Sequence, residues 1–197
     1  FGRYEIIGRT LDDAVGEAYD KVARMLGLSY PGGPKISALA EKSRFRDKDS
    51  RLNDTVGQVG FKFPRPMINS GDSNFSFSGL KTAVLYKLKK DAEENEEYKE
   101  DIARAFEDSA VEVLVEKTRR AIESLFDIKG VIVAGGVSGN KHLRSELGKM
   151  MSAYPELKLY FPDKLLTTDN AIMIALASYV QVKVDPTLLS KPHPHMA

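Results

Sequence analysis

The chemistry available to this chain is concentrated in a few residues. Gly135, Gly136 and Asn140 stand together in GVIVAGGVSGN (130–140), and Asp13, Glu17 and Asp20 recur at a spacing that puts them on one helical face. Pro31, Gly32, Gly33 and Pro34 make a stiff turn, and Asp169 precedes an apolar run in TTDNAIMIA. Glycines let a ligand approach the backbone closely, so a strand, a glycine turn and a helix start in that order form a site for an anion or nucleotide. Taken alone, such a turn is more often a tight connection in an α/β fold. Spacing alone also favours a solvated acidic face for the three carboxylates, with Glu17 paired to Lys21 at i+4, and a helix cap for Asp169.

These residues need elements to position them. Gly130 to Ala134, apolar and β-branched between glycines, reads as a strand buried on both faces, and Asn140 opens an amphipathic helix over Lys141 to Met151. Tyr4 to Gly8 reads as a short strand. Thr10, Asp12 and Asp13 are candidate caps for a helix running to about Leu26, whose core side is Val15, Ala18, Tyr19, Val22, Ala23, Met25 and Leu26. Gly16 lies beside its acidic stripe, which makes sense if something packs or binds closely there. Gly27 is a natural C-cap, and a short helix follows over Ile36 to Lys42.

From 43 to 78 few apolar residues are periodic, and the segment reads as irregular. Arg44, Arg46, Lys48, Arg51, Lys62 and Arg65 could contact a phosphate backbone, but Asp47, Asp49 and Asp54 interleave with them and favour a solvated loop. FSFSG at 75–79 alternates like a strand, and a helix with Leu80, Val84 and Leu88 on one face continues from it. Ile102, Ala105, Phe106, Ser109, Ala110, Val113 and Leu114 set the period of a long framework helix over about 97–126. A second strand, KLYF at 158–161, precedes a helix from Asn170 to about Val182 that is expected to bury Met173, Leu176, Ala177 and Val180, with Thr167, Thr168 and Asp169 competing to cap it. The tail from Asp185 reads as loosely attached, and His193 and His195 read as tail residues rather than metal ligands.

Composition narrows the function classes. With 197 residues, 42% hydrophobic and 29% charged, the chain has the makeup of a globular protein, and a net charge of +1 makes no global case for nucleic acid. The absence of cysteine excludes disulfides, thiolate zinc sites and cysteine nucleophiles, and fits a reducing, cytoplasmic setting. No apolar run approaches the ~20 residues a membrane helix needs. SGLKT at 78–82 lacks the second glycine beside the lysine and the preceding buried strand of a phosphate-binding P-loop. The chain begins at Phe1 rather than at a methionine, which is expected of a piece of a longer protein, a processed product or a domain.

Six segments together, GRTLDDAVGEAYDKVARMLGLSYPGGP, FPRP, NFSFSGLKTAV, DIARAFEDSAVEVL, AGGVSGN and TTDNAIMIA, resemble the tRNA threonylcarbamoyladenosine transferase family of the bacterial TsaD type, in its order and at about its spacing. The resemblance implies an α/β fold of the actin-like ATPase class, mainly helical with short strands, of which residues 1–184 would be the C-terminal lobe and from which the N-terminal lobe would be absent. It also implies transfer of a threonylcarbamoyl group from threonylcarbamoyl-adenylate to N6 of adenine 37 in tRNA, with accessory proteins of the TsaB and TsaE type as partners, and no membrane. Carried over by motif, Asp20 and Gly33 resemble positions that hold the adenylate, the carboxylate being suited to sugar hydroxyls. Asn140 matches a further substrate-binding position, Gly135 and Gly136 would allow close approach, and Asp169 matches a ligand of one divalent metal, iron or zinc.

The chain also departs from that pattern. Some relatives carry a carboxylate where Ser37 stands, and commonly Ala where Gly139 stands. In the family two histidines of an HxxxH motif complete the metal, and none of His142, His193 and His195 fits that motif. A single carboxylate holds a catalytic metal poorly, so the chain alone is expected to be inactive, and no residue is an evident general base. The competing reading is a nucleotide-binding or scaffold module of the same fold class that performs no transfer. A sugar kinase is disfavoured by NFSFSGLKTAV and TTDNAIMIA, and a protease by the lack of an assembled nucleophile and base.

Overall fold

The computed structural model describes residues 4–51, 60–91 and 95–184. The tail histidines and Asp54 lie outside the described residues. Its framework is the long helix expected from the 97–126 periodicity, here α4 (Glu96–Ser124), about 43 Å long at 1.5 Å per residue. The Asn95 side chain starts it by accepting from the Tyr98 N–H at 2.7 Å.

Against α4 pack α1 (Val15–Met25), α2 (Gly32–Arg51) and α3 (Ser78–Asp91). Ala18, Tyr19, Val22, Ile36, Ala40, Leu80, Val84, Ile102, Phe106, Ala110 and Val113 form one continuous core between them. Tyr19 and Phe106 meet edge to face, their ring centroids 4.9 Å apart. Gly27, at φ 75°, closes α1 in the left-handed conformation, and the Leu28 N–H donates to Ala23 O at 2.9 Å.

Several expectations are corrected here. The helix read as Ile36 to Lys42 runs from Gly32 to Arg51, so the first part of the 43–78 segment is regular rather than irregular. From Ser43 to Asp47 its contact with α4 is polar: Ser43 Oγ donates to Asp101 at 2.7 Å, Arg46 bonds Glu100 and Asp101, and Arg104 bonds Asp47. A helix buried through ion pairs leaves little apolar period to read. For the same reason Arg44, Arg46 and Arg65 are not a solvated or phosphate-facing set, because each is paired with a carboxylate of α4.

The strands expected at 4–8 and 75–79 do not form; Thr10 and Phe75 make only a single parallel bridge. Nor do Thr10, Asp12 and Asp13 cap α1, whose start at Ala14 has no side-chain cap. They are engaged elsewhere. Asp12 accepts from the Phe77 N–H at 2.8 Å, the Ser78 N–H at 3.2 Å and the Ser76 hydroxyl at 2.5 Å, which caps α3 from a distant segment. Asp13 pairs with Lys21 at 2.7 Å and Lys81 at 3.1 Å. The two motifs GRTLDD and NFSFSGLKT are thus halves of one junction.

Beyond α4 the chain makes a β–α–β unit. β1 (Gly130–Ile132) pairs in parallel with β2 (Lys158–Tyr160), Gly130 opposite Lys158, and α5 (Lys141–Met151) connects them. Val133, Leu159 and Phe161 pack with Leu143, Leu147 and Val111. The alternate residues point away from α5, and there Ile132 is 77% exposed, so β1 is not the doubly buried strand expected. α6 (Ala171–Val184) departs further: Met173, Leu176 and Ala177 are exposed, and Val180 is only half-buried. No helix among the described residues is long and apolar enough to cross a membrane.

Candidate functional site

The glycine turn forms where β1 hands over to α5. Gly135 takes φ 85°, a conformation that side-chain-bearing residues rarely adopt, and a tight 3-10 turn follows over Gly136–Gly139. Ser138 N–H donates to Gly135 O and Asn140 N–H to Val137 O, both at 3.0 Å, while Asn140 Oδ1 caps α5 by accepting from the Leu143 N–H at 2.8 Å. Apart from their chain neighbours, no atom of the described residues lies within 4 Å of where a Cβ on Gly135 or Gly136 would be, so their backbone faces open space. A Cβ on Gly139 would stand 3.7 Å from Thr167 Oγ1, ordinary contact, so an alanine fits there.

Opposite the turn lie α1 and the start of α2. Gly16 of α1 faces the turn, where a Cβ would stand 3.5 Å from Val137, ordinary contact, so the approach does not depend on glycine. Of the acidic stripe, Glu17 and Asp13 both pair with Lys21 at 2.7 Å, but Asp20 Oδ1 accepts from the Gly32 N–H at 2.8 Å. Asp20 thus satisfies one of the first amides of α2, and the approach is so close that a side chain on Gly32 would fall 2.5 Å from Ala23 Cβ. Gly33, the next residue, has open space where its Cβ would be. The structure thus puts Asp20 at the contact of α1 with α2, whose first turn holds Gly33, while Asn140 ties the end of the turn that begins with Gly135 and Gly136 to Tyr19 of α1 and Ser37 of α2.

Beneath that junction lies a polar centre that sequence reasoning missed. Glu107 of α4 is 1% exposed. Its Oε1 accepts from Ser37 Oγ and Asn140 Nδ2, each at 2.7 Å, and its Oε2 from Arg44 Nη1 at 2.7 Å. Asn140 Nδ2 also lies 3.0 Å from Ser37 Oγ and 3.3 Å from Tyr19 Oη. Arg44 continues to Asp108, which His142 Nε2 meets at 3.0 Å. Burial pushes the Asp108 carboxyl up, but the His142 hydrogen bond and the Arg44 charge outweigh it and hold it below the usual carboxylate range. Burial, reinforced by the Glu107 charge, pushes the Tyr19 phenol well above its ordinary value. The available signal was a carboxylate at a core position: Glu107 follows Phe106 within the buried period of α4.

Asp169 is placed differently. The cap of α6 is Asn170, whose Oδ1 accepts from the Met173 N–H at 3.0 Å, so none of Thr167, Thr168 and Asp169 fills the capping role expected of them. Asp169 is exposed, two residues from the Thr167 that borders Gly139. Among the described residues no three His, Cys, Asp or Glu side chains cluster so as to hold a metal, and His142 is engaged with Asp108. A lone carboxylate does not fit a resident divalent ion by itself.

A sequence model of the family described as TsaD, tRNA N6-adenosine threonylcarbamoyltransferase, matches residues 1–176. A protein of that name from Acidovorax sp. (strain JS42) is 44% identical over 182 residues, covering 92% of this chain and 48% of its own length. Proteins of the same name from Ralstonia pickettii (46% over 193 residues, 94% of this chain, 50% of theirs) and Persephonella marina (47% over 190 residues, 95% and 49%) are similarly related. The chain spans about half the length of the curated relatives it matches.

Proposed function

Since the chain belongs to the tRNA N6-adenosine threonylcarbamoyltransferase family, we propose that it is the C-terminal, adenylate-holding lobe of an enzyme that transfers the threonylcarbamoyl group from threonylcarbamoyl-adenylate to N6 of adenine 37 of tRNA. The family implies an actin-like ATPase-type fold, with which a mainly helical body and a small parallel sheet agree. One observation supports the reading: Asn140, at the end of the glycine turn, meets Tyr19 of α1 and Ser37 of α2, the two helices that Asp20 joins through the Gly32 amide.

In the reaction the adenine amine attacks the carbamoyl carbon, the bond from that carbon to the phosphate oxygen breaks, AMP leaves and the amine loses a proton. The adenylate already carries a good leaving group, so holding it in place is the main demand on the protein. Gly33 and the glycine turn allow the nucleotide to approach the chain closely, and Asp20, fixed through Oδ1 by the Gly32 amide, turns its other oxygen to the sugar hydroxyls. Asp169 would supply one carboxylate to a divalent metal, which it does not hold by itself.

Titration of the full chain with a non-hydrolysable analogue of threonylcarbamoyl-adenylate tests this reading, with binding expected and at least tenfold weakening in Asp20→Ala. Undiminished affinity in that variant overturns the placement of the nucleotide. Asp169 as a lone carboxylate, with no cluster of metal ligands among the described residues, favours a second reading, in which this chain binds the nucleotide without performing transfer. Supplying the chain with tRNA, accessory proteins of the TsaB and TsaE type and an N-terminal lobe that carries the HxxxH motif separates the two, since labelled threonylcarbamate reaches tRNA only under the first.

A further inference from the structure

Three segments carry the candidate adenylate contacts, and one buried carboxylate touches the frame of all three. α1 presents Asp20 and, one residue before it, Tyr19, whose hydroxyl stands 3.3 Å from the Asn140 amide. α2 presents Gly33 and, one turn later, Ser37, which donates to Glu107. The glycine turn ends at Asn140, which donates to the same Glu107 oxygen. Glu107 itself sits on the framework helix and is 1% exposed, so neither substrate nor solvent reaches it. We propose that Glu107 is the positioning residue of this site, fixing the orientation of the Asn140 amide and, through it, the placement of the glycine turn against α1 and α2.

The chemistry of the donor set supports this directly. A carboxylate offers only acceptors, and Glu107 meets only donors: Ser37 Oγ and Asn140 Nδ2 on one oxygen, Arg44 Nη1 on the other. The Asn140 amide must therefore turn its NH2 group to Glu107, which leaves its Oδ1 toward the Leu143 N–H and so caps α5. Replacing Glu107 by glutamine keeps the shape and breaks the pattern. Arg44 has no acceptor to offer, so the glutamine oxygen goes to Arg44 and its NH2 group faces Asn140. Asn140 then turns over, and the α5 cap is lost with it. If the glutamine turns the other way, its NH2 group faces Arg44 and the buried pair fails instead.

The inference rests on the adenylate reading above, and its test separates the two. In the full chain, hydrogen exchange of the Asn140 side-chain amide and the Leu143 backbone amide is followed by NMR, alongside affinity for the non-hydrolysable threonylcarbamoyl-adenylate analogue. Glu107→Gln is expected to release both amides from protection and to weaken the analogue about tenfold, with the methyl resonances of Leu80 and Val84 in the core unmoved. Ser37→Ala, which removes one donor without stranding a charge, is expected to weaken the analogue by a few-fold and decides the matter if Glu107→Gln does not fold. Unchanged affinity in a folded Glu107→Gln variant, or in Ser37→Ala where that variant fails, overturns the positioning role and leaves the adenylate reading intact. No binding by the unmodified chain overturns the adenylate reading; the exchange data then decide alone, with retained Asn140 and Leu143 protection overturning the role of Glu107.

Discussion

α4 and α6 are both helices whose apolar residues predict a buried side, and they end in opposite circumstances. Along α4, Ile102, Phe106, Ala110 and Val113 are fully buried, and even Glu107 and Lys117 are inside, each held by several hydrogen bonds. Along α6, Leu176 is 60% exposed, and Ile172, Met173, Ile174 and Tyr179 are exposed with it. A periodic apolar stripe states that a face needs cover and says nothing of where the cover comes from. The contrast also shows what makes α4 a framework: its neighbours bring both apolar contacts and matched charges, whereas the large apolar residues of α6 are left mostly exposed.

The widest test of that contrast is truncation on the two helices. Phe106→Ala removes a ring that fills the centre of the α1–α4 core and is expected to cost about 3–5 kcal/mol. Leu176→Ala on α6 is expected to stay within about 0.5 kcal/mol. Urea denaturation of the full chain measures both, and a cost above about 1 kcal/mol for Leu176→Ala would break the comparison by showing that α6 is covered.

A step smaller are the ion pairs. Arg44→Ala strands the buried Glu107 carboxylate and is expected to cost about 3 kcal/mol, since breaking a buried pair leaves one charge uncompensated. Glu17→Ala removes the exposed partner of Lys21 and is expected to cost about 0.5 kcal/mol or less. Equal losses from the two variants would mean that burial does not set the value of these pairs.

Much of this arrangement was legible in the residues, and the boundary of legibility is physical. Asn140 as the cap of α5, the extent of that helix and the long α4 all followed from local patterns, because caps and apolar periods act over a few residues. The second half of α2 did not, because its contact with α4 is made by Arg44, Arg46 and Asp47, types that read as solvated whether or not a partner waits. Asp12 was legible as a cap but not as the cap of α3, some 65 residues away. Of the candidate site, Asp20, Gly33 and the glycine turn came from local chemistry and resemblance, while Glu107 required the fold, since no spacing rule brings α4 to α1, α2 and α5 at once.

Acid should expose the same division. Asp108 is held below the usual carboxylate range, so the folded state binds its proton less readily than the unfolded chain does. Its contribution is full above the ordinary carboxylate value of about 4 and is lost as pH falls below that value through the lowered one. Stability from urea melts should therefore drop below about pH 4 in the unmodified chain, and Asp108→Asn should flatten that drop while lowering stability at neutral pH by about 1–2 kcal/mol. An acid limb unchanged in Asp108→Asn would assign the loss to other carboxylates. Asp72, held well below the usual carboxylate range by its Ser70 and Asn74 hydrogen bonds, is the first alternative.

The finest contrast lies within the site, between two serines. Ser37 Oγ donates to Glu107 and receives from Asn140, whereas Ser138 Oγ, in the glycine turn, is buried with no hydrogen-bond partner among the described residues. Removing a hydroxyl that bonds two groups costs about 1 kcal/mol, while removing a buried one that bonds none is neutral or stabilising by up to about 1 kcal/mol. Ser37→Ala and Ser138→Ala should therefore shift the urea midpoint in opposite directions or, at the least, by clearly different amounts. A loss in Ser138→Ala equal to that in Ser37→Ala would mean that the turn serine does have a partner in solution. It would then join the junction that Glu107 organises, rather than standing beside it as a neutral occupant of the turn.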